Sequence, residues 1–177
     1  MNKDNAKTKR NATVIAVTAL FTAMNIAMSS FGIPVPGGHF YLCDAVICLG
    51  ALLLDPLSAF IIGGVGSFLG DMIFYPAPMF VSLITHGLQA VVISVISHYV
   101  LKKKPLLSAI IAVTAGAIIM IVGYSLGRAY VYATPEYAWI KLPYEVLQAG
   151  VGAVVGVLLA YKFGIKKAFS KIFAKKI

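Results

Sequence analysis

A length of 177 residues would suit one soluble domain, but 60% hydrophobic and 12% charged residues with a mean hydropathy of +0.90 exclude it, because a soluble globule carries roughly a quarter charged residues. The formal net charge of +9 does not indicate nucleic acid, since the basic residues flank apolar stretches and form no stripe interleaved with aromatics. They fall into three clusters (Lys3, Lys7, Lys9 and Arg10; Lys102, Lys103 and Lys104; Lys162, Lys166, Lys167, Lys171, Lys175 and Lys176), and only Arg128 and Lys141 lie elsewhere.

A membrane span needs about 20 apolar residues. The first expected span covers 13–31 and ends at the breaker cluster 32–38. Its length makes residues 1–10 the flank of a span and not the head of a cleaved signal peptide. The second, short span covers 41–54 and stops at Asp55-Pro56. The third covers 57–74 and stops at Tyr75-Pro76-Ala77-Pro78, and the fourth covers 79–101, before the lysine triplet. The fifth starts after Pro105 and ends near Gly127. Residues 128–142 read as a polar, aromatic loop, and the sixth span covers 143–163. With six spans all three basic clusters share one side, and the positive-inside bias makes that side the cytoplasm. The expected fold class is an all-α integral membrane protein of six transmembrane helices with cytoplasmic N and C termini. Residues 1–177 form one membrane domain: a basic N-terminus at 1–12, a bundle at 13–163 and a basic tail at 164–177, which suits an amphipathic surface helix.

Ionisable residues inside a membrane are costly, and by default they mark function. Asp44, Asp71, His86, Gln89, Glu145 and Gln148 all fall in the outer half of this topology, where they pair with one another or converge on a ligand. His39, Tyr41, Tyr75 and Trp139 belong to the same side, with Tyr124, Tyr130, Tyr132, Tyr137 and Tyr144. Some of these rings form the interfacial belt. Rings around convergent polar groups also suit a flat, water-soluble heterocycle, with stacking on the faces and Asp, His and Gln at the edge. Arg128 either favours an anionic ligand or anchors the fifth span at the interface. Cys43 and Cys48 show no paired ligand spacing even with His39, and read as buried thiols, so neither metal nor cofactor is expected.

Small residues form stripes that permit close helix approach. Gly66 with Gly70 and Gly152 with Gly156 suit packing within the bundle, whereas Ala19, Ala23 and Ala27 could face either the bundle or a partner. No P-loop is present, so the chain does not bind ATP by that route.

Four segments together carry a family resemblance: Ala19-x-x-x-Ala23-x-x-x-Ala27, His39-Phe-Tyr-Leu-Cys-Asp44, the run from Gly63 to Asp71, and Leu142-Pro143-Tyr-Glu-Val-Leu-Gln148. The chain resembles the substrate-binding S component of energy-coupling factor (ECF) vitamin transporters. Within that family it looks closest to the hydroxymethylpyrimidine and pyridoxine branch, often labelled riboflavin-type. The resemblance implies capture of a small vitamin outside the cell, pyridoxine or hydroxymethylpyrimidine ahead of thiamine or riboflavin. Import would be driven by a coupling transmembrane subunit and two cytoplasmic ATPase subunits. It further implies that Ala19, Ala23 and Ala27 contact the coupling subunit and that residues 32–40 act as a lid. The expected ligand set is His39, Tyr41, Asp44, Asp71, Tyr75, His86, Gln89, Trp139, Glu145 and Gln148, with no catalytic residue. Two other readings compete: a self-contained proton-coupled transporter using Asp44, Asp71 and His86 as a relay, and an intramembrane hydrolase built on Ser67 and His86.

Overall fold

The computed structural model describes residues 3–174. The side chains of Lys3, Lys7, Lys9 and Arg10, and all of Lys175 and Lys176, lie outside the described residues. The chain is a bundle of helices: α1 (Lys3–Ser29), α2 (Cys43–Leu53), α3 (Pro56–Phe74), α4 (Met79–Tyr99), α5 (Pro105–Tyr132), α6 (Pro135–Lys162) and α7 (Ile165–Ala174). Five of them, α1 from Asn11 onward and α3 to α6, are long and apolar enough to cross a membrane. The short apolar helix α2 makes the sixth element of the expected bundle. Its 11 residues rise only about 16 Å, too little to cross a hydrocarbon core of about 30 Å upright. Helices α1, α3, α4 and α6 enclose it, and every residue of it except Ala45 is buried. Protein, not lipid, therefore surrounds its ends. The Ser94 hydroxyl of α4 donates to the Leu54 carbonyl at its C-terminal end (2.6 Å), which satisfies a carbonyl that the helix cannot pair itself.

Helix α3 begins at Asp55. Its carboxylate accepts from the Leu57 and Ser58 amides, both at 3.1 Å, and Pro56 occupies the first turn, the usual chemistry of a helix start. The helix widens into a π-turn at Ile61–Val65. Such a turn leaves a carbonyl without its i→i+4 partner. Here Asn25, fully buried on α1, donates from Nδ2 to the Ile62 carbonyl (2.7 Å) and to Ser67 Oγ (3.0 Å). One side-chain amide thus locks the irregular turn against α1.

The glycine pairs do face neighbouring helices of this chain. A Cβ on Gly66 or Gly70 would strike Asn25 or Ser29 of α1, and one on Gly152 or Gly156 would strike Asp44 or Cys48 of α2. The alanine stripe differs: Ala19, Ala23 and Ala27 are all exposed.

Two features depart from the expected layout. Between α1 and α2 the chain forms a hairpin, β1 (Ile33–Val35) against β2 (Gly38–Phe40), with Val35 opposite Gly38. Pro36 and Gly37 make the turn, and Gly37 takes a φ of 80°, the left-handed value that the third residue of a type II turn requires. The second departure corrects the loop expected at 128–142. Helix α5 continues through a π-turn to Tyr132, and α6 begins at Pro135, so Pro143 lies inside a helix. Proline removes one helical donor, which a membrane bundle tolerates where neighbouring groups cover the freed carbonyl. The charges of this segment read as loop because their burial depends on Arg128 of α5 meeting Glu145 of α6, 17 residues on. In the fold Arg128 and Lys141 are buried beside Glu145.

Residues Ile47, Leu52, Ile62, Ala90, Ile93 and Ala112 fill the cytoplasmic half of the core. The buried ionisable side chains, Asp44, His86, Arg128, Lys141 and Glu145, gather at the opposite end, beneath the hairpin.

Candidate functional site

The outer end of the bundle encloses a cavity of about 40 Å³. Helices α1 to α6 supply its walls and the hairpin its roof. Seven of the expected residues line it: His39 and Tyr41 from the hairpin and its exit, Asp71 and Tyr75 from the end of α3, His86 from α4, and Glu145 and Gln148 from α6. On α6, Lys141, Glu145, Gln148, Gly152 and Gly156 are all buried, the spacing of one inward helical face.

The deep end is a hydrogen-bonded network centred on Asp44, which sits in the first turn of α2, where the helix dipole favours an anion. Gln89 Nε2 donates to one of its carboxylate oxygens (2.9 Å) and Gln148 Nε2 to the other (2.8 Å). With Nε2 spent on Asp44, Gln89 presents its Oε1 to His86, so His86 Nδ1 donates across 2.6 Å. Gln148 Oε1 accepts from the Tyr41 amide (3.0 Å), which ties the exit of the hairpin to α6. Asp71 accepts a short hydrogen bond from the Ser82 hydroxyl. Tyr124 must then be the donor in its own contact with Ser82 Oγ (2.5 Å). The edge of His86 packs against the Tyr124 ring with centroids 5.1 Å apart.

The outer end is an ion cluster. Arg128 Nη2 donates to Glu145 Oε1 (2.9 Å) and Nη1 to the Gly37 carbonyl (2.7 Å). One guanidinium thus holds the tip of the hairpin to the bundle. Lys141 Nζ lies 3.9 Å from the same Glu145 oxygen. Above it, Gly37 and Gly38 run so close to Lys141 and Arg128 that a Cβ on Gly38 would sit 3.2 Å from Arg128 Nη1. The two glycines let the roof rest directly on the cations.

Three expected residues take other places. Trp139 is 74% exposed and lies in a separate surface groove with Ile121, Tyr130 and Leu142; it is not brought to the cavity. Its exposure, with that of Tyr130 and Tyr137, suits the interfacial belt. Asp44 and Gln89 are buried directly behind the wall and hold His86 and Gln148 in position. Conversely Tyr124 and Tyr132, read from sequence only as outer-side aromatics, line the cavity, as do Ser29, Cys43, Ser67 and Arg128. Residue order alone carries no signal that separates Tyr132 from Tyr130, because the π-turn decides which ring points inward.

Cys43 and Cys48 are buried free thiols. Ligand atoms of Cys43, Asp44 and His86 lie within 4.8 Å of one another, but both Asp44 oxygens are already taken by amide donors. Ser67 Oγ is engaged by Asn25, and no hydrogen bond joins it to His86 among the described residues.

On the opposite end and flank, α1 and α3 border a second groove, lined by Ala19, Ala23, Thr22 and Ile26 with Leu57 and Ile61. Its volume is about 920 Å³, and it opens to the side of the bundle.

Comparison with known proteins places this architecture. The sequence model described as ECF-type riboflavin transporter, S component, matches residues 9–166. A protein of Pyrococcus woesei, described as an uncharacterized protein in the gap 3′ region, is 31% identical over 141 residues, which cover 78% of this chain and 93% of the relative. The matched residues span α1 to α6, the hairpin and the whole cavity, and the family is one of transporter subunits, not of enzymes. The chain belongs to the ECF-type riboflavin transporter S component family, the vitamin-uptake subunits of ECF transporters in the membrane.

Proposed function

We propose that the cavity captures a small, flat, water-soluble vitamin or vitamin precursor on the outer face, with a single ring of pyridoxine or hydroxymethylpyrimidine size favoured over riboflavin. The observation that carries the reading is the enclosed outer cavity itself: aromatic walls from Tyr41, Tyr75 and Tyr124, polar edges from Asp71, His86 and Gln148, and a hairpin roof. A typical ligand pocket measures about 300–1,000 Å³, so about 40 Å³ must expand before any vitamin enters. The hairpin is the element that moves at least cost, because its main hold on the bundle is Arg128 with the Tyr41 amide. A single ring demands less opening than a tricyclic one.

The exposed alanine stripe supports a second part of the proposal. Ala19 and Ala23 line the groove beside α3, and small side chains there let a helix of the coupling subunit approach α1 closely. Two ATPase subunits would supply the energy through that subunit. A self-contained proton carrier is the weaker reading, since the ionisable network ends at Asp44 and Gln89, and Cys48 and Ile93, a turn further along α2 and α4, belong to the apolar core.

Mass spectrometry of small molecules released by denaturing the purified protein tests the capture reading. A single co-purifying vitamin-class heterocycle is the expected result. Release of nothing, together with uptake by this chain in cells lacking the ATPase subunits, would overturn it.

A further inference from the structure

We infer that the ligand of this cavity carries an anionic acceptor group, a phosphate monoester or a carboxylate, that binds at its outer end beneath the hairpin; this rests on the capture reading above. The outer cluster has two cations for one carboxylate. Arg128 and Lys141 are 7% and 1% exposed, and Glu145 is 3% exposed. The other two carboxylates of the site lie at the deep end and have their own donors, Ser82 for Asp71 and two amides for Asp44. At the roof itself two cations therefore share one carboxylate, while the two deep carboxylates rely on neutral donors.

The hydrogen bonds show the same imbalance. Arg128 Nε, Lys141 Nζ, the Tyr132 hydroxyl and His39 Nδ1 are buried without a hydrogen-bond partner. Arg128, Tyr132 and His39 line the cavity, and the guanidinium stacks over the Tyr132 ring at 5.3 Å. Lys141 sits behind Glu145 and adds charge to the group. A buried donor without a partner costs free energy, more so for a charged one. A fold that leaves three such side chains on a cavity wall, with Lys141 behind them, loses stability unless an acceptor-rich group satisfies them. Carboxylates and phosphates meet guanidinium and ammonium donors with short, charge-assisted bonds. The deep end has the opposite character, with acceptors at Asp71 and His86. The ligand thus presents a donor-bearing ring edge inward and its anion outward.

The test is titration of the purified full chain with probes that share a ring and differ in charge. Pyridoxine, pyridoxine 5′-phosphate and 4-pyridoxate form one set, hydroxymethylpyrimidine with its phosphate a second, and riboflavin with riboflavin 5′-phosphate a third. In at least one set the anionic member is expected to bind about tenfold tighter than the neutral one or better, and phosphate against carboxylate identifies the source. Lys141→Met should abolish that advantage while sparing the neutral probe, and Lys141→Arg should keep it. Lys141→Met should also melt no lower than the wild type without ligand, because it removes a buried cation that makes no hydrogen bond and whose carboxylate, 3.9 Å away, is already held by Arg128. Neutral probes binding as tightly as their anionic partners would overturn this inference and leave vitamin capture standing. A Lys141→Met protein that melts lower yet keeps its anion preference would make Lys141 a structural cation and overturn its role. No binding in any set would overturn the capture reading and this inference together.

Discussion

Asp44 never reaches the cavity, yet the inner wall depends on it. Its two oxygens fix the amides of Gln89 and Gln148, and those amides fix His86 and the Tyr41 backbone. A carboxylate buried this deeply is tolerable only because both oxygens are hydrogen-bonded. The ring at the cavity end of this relay is His86, which under the proposed function meets the ligand. His86→Ala is expected to weaken ligand binding about tenfold, measured by titration with the released compound, while assembly with the coupling subunit persists. Unchanged affinity would remove His86 from the site.

Helices here approach one another through glycine, and the approach at Gly152 serves the site. Gly152 lets α6 lie against the first turn of α2, where a Cβ would collide with Asp44. Gly152→Val should therefore cost about 1–3 kcal/mol by overpacking and disturb the Gln148–Asp44 bond. Thermal melting reads the cost, and Gly150→Ala is the control, since nothing lies within 4 Å of a Cβ there. The start of α3 makes a pH-dependent contribution. Partial burial pushes the Asp55 carboxyl upward, but hydrogen bonds from the Ser58 amide and hydroxyl and the Leu57 amide outweigh it and hold the group below the usual carboxylate range. A depressed value means that the cap stabilises fully above the unfolded value and is lost as pH falls through the folded one. Asp55→Ala should cost about 1 kcal/mol at neutral pH, and the gap from wild type should close below about pH 4. A gap that stays constant into acid would show that the carboxylate is not the cap.

Across the whole molecule, three surfaces divide the work. The outer end holds the cavity and its roof. The opposite end carries Lys102 to Lys104 with Lys162, Lys166, Lys167 and Lys171, drawn together where Tyr161 donates to the Pro105 carbonyl (2.8 Å); positive charge there sits in the cytoplasm. The flank between them is α1, whose Ala19, Ala23 and Ala27 are left exposed by the described residues. Ala23→Leu is expected to block co-purification of the coupling subunit and to leave ligand affinity unchanged, because Ala23 faces a groove on the side of the bundle and not the cavity. Recovery of a full complex from this variant would refute that role for α1.

Hydropathy and charge by themselves determined that the chain is a membrane bundle, where its first four apolar helices lie and which end is basic, because partition between lipid and water is decided residue by residue. They also pointed to Asp71, His86, Glu145 and Gln148, since an ionisable or amide group in an apolar span stands out without knowledge of its neighbours. Only the tertiary structure decided how these groups divide between wall and support, and the reason is that burial is a property of pairs. Arg128 and Lys141 read as loop residues until the Glu145 carboxylate is found beside them. Trp139 and Tyr132 are both aromatic residues of one outer segment, and a π-turn sends one inward while the helix face leaves the other outside. The glycine and alanine stripes share one spacing, and only the packed bundle separates those that meet a neighbouring helix from those left exposed.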